Sequence, residues 1–158
     1  AVALGFEIAA VLLIIANRVF DGLDGAVARS TGGTDLGAYL DITLDFLFYS
    51  AVPFAFAVAD PANAMAAAFL IFSFVGTGSS FLAFAIIAQK RGISTEIRGK
   101  KGFFYLGGLT EGSETIIFLL VVASRPDLFV PLAWAFGCLC WITTITRVRY
   151  AIESFSDL

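Results

Sequence analysis

Apolar residues collect in five long blocks, at 2–20, 36–58, 64–88, 103–123 and 128–146, separated by short stretches rich in glycine, proline and charge. Each block is close to the ~20 residues that a helix needs to cross a ~30 Å hydrocarbon core. Because that core offers no water to satisfy backbone groups, each block predicts a transmembrane α-helix. The breaks have local causes. Gly32-Gly33 interrupts a Gly-rich cytoplasmic turn region at 21–35, Pro61 marks a turn at 59–63, a basic loop fills 89–102, and Pro126 marks a turn at 124–127. The expected fold class is an all-α integral membrane bundle of five transmembrane helices, forming a single domain over residues 1–158.

Composition strengthens this reading. The chain is 59% hydrophobic and only 15% charged, against roughly 45–50% apolar content in ordinary soluble domains. The five-span topology places Arg18, Arg29, Lys90, Arg91, Arg98, Lys100, Lys101, Arg147 and Arg149 on one side and Arg125 on the other. By the positive-inside rule the first side is cytoplasmic, which predicts a multi-pass protein of the cell membrane. Ala1 then falls on the outer face, with neither Met nor a cleavable signal pattern at the start. A sixth helix entering from the cytoplasm is therefore expected before it in the full-length protein. Nucleic acid is not an expected partner. Zinc is not expected either, since there is no His and Cys138 and Cys140 lie two apart in an apolar block, where they read as small buried hydrophobes.

Against this background four aspartates stand out: Asp21, Asp24, Asp41 and Asp45. Carboxylates at membrane depth are costly, and a bound cation is the first explanation to consider. If the first helix continues through Arg29, Asp21 and Asp24 share a face with Gly25, and Ala28 follows one turn later. In the next block Gly37, Asp41 and Asp45 recur every four residues, which spaces the two carboxylates about 6 Å apart along the axis. The two stripes can face each other across the turn. Oxygen-only ligands favour Mg²⁺ or Mn²⁺, with Ca²⁺ second. Small residues at Gly25, Ala28 and Gly37 allow a ligand to approach the backbone, and Arg29 offers a fork suited to phosphate. Asp35, beside Thr34 at a helix start, reads as a cap. Together these residues suggest a metal-bound diphosphate at the cytoplasmic membrane boundary.

The pattern Asp21-x-x-Asp24-Gly25-x-x-Ala28-Arg29, seven residues, Gly37-x-x-x-Asp41-x-x-x-Asp45 resembles the signature of the CDP-alcohol phosphotransferases, integral membrane enzymes of phospholipid synthesis. The resemblance implies that Asp21, Asp24, Asp41 and Asp45 hold two divalent ions, Mg²⁺ or Mn²⁺, and that Asp45 also takes the proton of the acceptor alcohol. It places Gly25, Ala28, Arg29 and Gly37, with Thr34 as a weaker candidate, around the nucleotide. It further implies a CDP-linked donor, with CDP-diacylglycerol preferred, an alcohol acceptor, release of CMP, surrounding membrane lipids and a homodimer.

A second polar cluster lies in the fourth block, where Glu111 and Glu114 are one helical turn apart and follow the basic stretch Arg98-Gly99-Lys100-Lys101. The glutamates are candidates for contacting the acceptor, and Arg98, Lys100 or Lys101 for binding a phosphate. The alternatives are internal ion pairs and contact with anionic headgroups. Glu7 reads as interfacial, and Gly76-Thr77-Gly78-Ser79-Ser80 as a close helix–helix contact. Two other functions share the acidic signal. An intramembrane prenyltransferase would need a second Asp-x-x-x-Asp downstream, which residues 46–158 do not supply. A cation transporter gains nothing from Arg29 beside its path.

Overall fold

The computed structural model describes residues 7–92, 110 and 112–156, apart from the side chains of Arg29 and Thr31. The described residues form five α-helices: α1 (Glu7–Thr31), α2 (Asp35–Ala59), α3 (Ala64–Lys90), α4 (Gly112–Ser124) and α5 (Phe129–Phe155). Short 3₁₀ turns at Pro61–Asn63 and Pro126–Leu128 join α2 to α3 and α4 to α5. The molecule is thus an all-α membrane protein. Three stretches are long and apolar enough to cross a bilayer, namely Asp35–Ala59, Pro61–Lys90 and Pro126–Phe155.

Two boundaries differ from the expectation. The stretch beginning at Asp21, expected as part of a turn region, is helical as far as Thr31, and the chain reverses only at Gly32, whose φ of 81° is a backbone conformation that glycine adopts without steric cost. The last helix runs past the apolar block to Phe155. Arg147, expected just beyond the membrane, is therefore buried inside the bundle. Its Nη1 donates to the Thr77 carbonyl oxygen at 3.1 Å and its guanidinium lies over the Phe81 ring. In the fourth block, the described helix begins at Gly112.

In lipid, helices gain little from hiding apolar surface, and close packing carries the association. The closest packing joins α3 to α5. A Cβ added to Gly137 would lie 2.5 Å from Phe69 Cε1 and 3.0 Å from Ser73 Oγ, so only glycine fits there. Phe69 is fixed in turn by stacking on Trp134, with ring centroids 4.4 Å apart. Gly78 receives the Phe46 ring of α2 in the same way, which accounts for the small residues of α3. Phe56 stacks on Phe129 at 4.0 Å, and Leu70, Leu119, Val122 and Ala133 complete a fully buried layer.

That layer lies toward the Pro61 and Pro126 turns. Toward the Gly32 turn, no described side chain of α1 after Ile14 or of α2 before Val52 is buried. Among the described residues, the end carrying the aspartates is therefore the less closely packed one. Substituting Gly137→Ala is expected to cost about 1–3 kcal/mol through overpacking and to lower the unfolding midpoint in detergent by several degrees. Gly22→Ala, where an added Cβ meets nothing within 4 Å, should hold or raise it. Equal midpoints would contradict the close α3–α5 contact.

Candidate active site

Thr34 begins α2. Its backbone is extended, with φ −108° and ψ 150°, and its Oγ1 accepts the Gly37 N–H at 3.0 Å. A capping residue must precede the first helical residue, so Thr34 takes the role expected of Asp35, which instead occupies the first turn and favours the helix dipole there. The cap sets where α2 starts. Asp41 and Asp45 then follow along the helix that returns beside α1.

Arg18 joins the two helices. Its Nη2 donates to Asp45 Oδ1 at 2.6 Å and its Nη1 to Asp21 Oδ2 at 3.2 Å. Asn17 Oδ1 accepts from Arg18 Nε at 3.1 Å and from Nη2 at 2.7 Å. The guanidinium lies 5.4 Å from the Phe48 ring centroid and 5.7 Å from that of Tyr49. The Tyr49 hydroxyl donates to Asp45 Oδ2 at 3.1 Å, so both oxygens of Asp45 are engaged. The Asp41 carboxyl stands next to that of Asp21. Asp21, Asp41 and Asp45 are thereby brought to one place from both halves of the acidic pattern.

The remaining candidates surround this point unevenly. Asp24, Ala28 and Gly37 are exposed and Gly25 is half-buried. The Gly37 N–H is engaged by Thr34, and a Cβ at Gly37 would meet Thr34 Oγ1 at 3.1 Å. The Arg29 side chain, Arg98, Lys100, Lys101 and Glu111 lie outside the described residues. Glu114 is exposed in the first turn of α4, where its Oε2 accepts from the Ser113 hydroxyl at 3.0 Å. The start of α4 reaches the site at Gly112, where an added Cβ would lie 3.5 Å from the Tyr49 hydroxyl oxygen.

The metal-binding group expected from the four aspartates is not formed among the described residues. Two of the four, Asp21 and Asp45, are paired instead with the positive charge of Arg18. The donor chemistry nevertheless suits a hard divalent ion, because the converging groups are carboxylates and the contact they already make is with a cation. Sequence reasoning missed Arg18 and Tyr49. Their signals were present, since Arg18 stands three residues before Asp21 and Tyr49 four after Asp45, both same-face spacings on a helix.

A family model described as CDP-alcohol phosphatidyltransferase matches residues 2–146. The chain belongs to this family. Its membership makes the protein a membrane phosphotransferase of phospholipid synthesis, in a family that generally depends on a divalent metal. The chain is 54% identical over 147 residues to the inner membrane protein YnjF of Escherichia coli (strain K12), covering 92% of this chain and 71% of that protein. It is 30% identical over 148 residues to archaetidylinositol phosphate synthase of Aeropyrum pernix, covering 90% of this chain and 69% of that protein. No solved structure matches it.

The cap at the start of α2 is directly testable. Thr34→Ala should destabilise this CDP-alcohol phosphatidyltransferase by about 1 kcal/mol, whereas Thr34→Ser, which keeps the acceptor oxygen, should hold the unfolding midpoint in detergent. An unchanged midpoint in the alanine variant would contradict a capping role.

Proposed function

We propose that the chain transfers a phosphatidyl group from CDP-diacylglycerol to an alcohol acceptor, with release of CMP, at the cytoplasmic boundary of the membrane. The observation that carries this reading is the meeting of Asp21, Asp41 and Asp45 across the α1–α2 turn, tied by Arg18. A lipid donor fits the exposed apolar side chains of Leu23, Val27, Leu36 and Leu40 on α1 and α2, where its chains can stay in the bilayer while the nucleotide reaches the carboxylates. A relative named archaetidylinositol phosphate synthase also favours a lipid product and keeps inositol phosphate among the candidate acceptors.

Asp21, Asp24, Asp41 and Asp45 are the residues that would hold two divalent ions, Mg²⁺ or Mn²⁺. Such ions supply neutralisation of charge on the transferred phosphoryl group and on the leaving CMP. Gly25, Ala28 and Gly37 leave room for the nucleotide beside the backbone, Arg29 supplies donors to phosphate, and Thr34 sets the start of α2 next to them. The acceptor hydroxyl attacks the phosphorus that bears the lipid, the bond to the CMP oxygen breaks, and Asp45 takes the hydroxyl proton. Glu114, together with Glu111, Lys100 and Lys101, is assigned to the acceptor side. The homodimeric state rests on the family resemblance alone.

Asp45→Asn should bind the CDP donor normally while its CMP release falls about 10²–10⁴-fold, the usual contribution of a general base. The measurement is CMP and lipid product from CDP-diacylglycerol, Mg²⁺ and a panel of alcohols, including inositol phosphate. Near-normal turnover would remove Asp45 from the base role, and absence of CMP release by the unsubstituted protein with every acceptor would overturn the assigned reaction. Chelation by EDTA should abolish release, and added Mn²⁺ should restore it.

A further inference from the structure

One side chain at this site has no part in the reaction just assigned, yet it lies between the groups that the reaction needs. The Arg18 fork gives one nitrogen to Asp21 at 3.2 Å and another to Asp45 at 2.6 Å. It is held there by more than charge. Asn17 accepts two of its N–H groups, and Phe48 and Tyr49 flank the guanidinium with their rings. With Tyr49 on Oδ2 and Arg18 on Oδ1, neither oxygen of Asp45 is free of a donor.

A small divalent ion needs carboxylate oxygens at about 2.0–2.1 Å, closer than any hydrogen-bond donor approaches. It also carries twice the charge of Arg18. The ion and the guanidinium therefore draw on the same oxygens, and close approach of one weakens the hold of the other. We propose that Arg18 is a built-in counter-cation that competes with the divalent ion for Asp21 and Asp45 and is displaced when the ion binds. The inference rests on the metal-binding role assigned above to these aspartates.

Thermodynamic linkage gives the competition a sign. Whatever free energy Arg18 gains from the two carboxylates is subtracted from the affinity of the ion that must replace it. In return, the carboxylates keep a paired charge beside the hydrocarbon, and α1 stays joined to α2. The fork matters as much as the charge, because two separate guanidinium nitrogens serve the two aspartates. A lysine ammonium is a single point and holds such a pair less well.

The test is direct Mn²⁺ binding to purified, EDTA-stripped full chain in detergent, read as loss of the free-ion paramagnetic resonance signal and therefore independent of turnover. Arg18→Gln is expected to bind Mn²⁺ at least about fivefold more tightly than the unsubstituted protein, within the usual range of coupling free energies. Arg18→Lys should fall between them, and it alone decides the question if the glutamine variant does not fold. Unchanged or weaker binding in Arg18→Gln overturns the proposal, and so does Arg18→Lys equal to the unsubstituted protein, which would reduce the effect to net charge. If no form binds Mn²⁺, the metal role of the aspartates fails, and the competition with it. If all forms bind it equally, only the competition fails.

Discussion

A carboxylate beside hydrocarbon has to be matched by positive charge at short range, since an uncompensated ion there costs several kcal/mol. The end of this molecule that carries the aspartates is arranged around that requirement. Arg18 of α1 reaches Asp45 of α2 as well as Asp21 on its own helix, and the contact joins two helices that bury few side chains between them at this end. In the proposed reaction the same grouping of acids would gather divalent ions and a diphosphate. On that proposal, stability and chemistry draw on one set of oxygens.

The two ends of the bundle divide the work. Toward the Pro61 and Pro126 turns, Phe56, Phe129, Leu70, Leu119 and Val122 form a dense layer, and glycines admit aromatic rings directly against the backbone. Such contacts hold helices together in lipid, where apolar burial alone does not. Toward Gly32 the described residues of α1 and α2 bury no side chain, and exposed Leu23, Val27, Leu36 and Leu40 flank the polar residues. The lipid-linked donor proposed above would use that combination, its chains among apolar side chains and its charged part at Asp21, Asp41 and Asp45.

Much of this was legible in the sequence because its causes are local. Glycine at position 32 ends a helix by its φ, and same-face spacing placed Asp41 and Asp45 on one stripe that meets Asp21. The family followed from residues 21–45, and a family model covers the same region and most of the chain. Other features depend on distant partners. Arg18 counted only toward membrane orientation until α2 brought Asp45 to it, and Arg147 could be placed in the bundle interior only once α5 extended to Phe155. Asp35 and Thr34 are adjacent, and composition alone does not decide which of them caps. The extended backbone of Thr34 does.

The central claim is that the α1–α2 turn gathers its aspartates around divalent ions that hold a CDP diphosphate. It is tested most directly by a structure of the full chain with Mn²⁺ and CDP, read by anomalous scattering at the manganese edge. The account predicts manganese peaks bonded to Asp21, Asp41 and Asp45, with the diphosphate against them beside Gly25 and Gly37. Manganese peaks away from these residues, or a nucleotide bound at another part of the bundle, would contradict it.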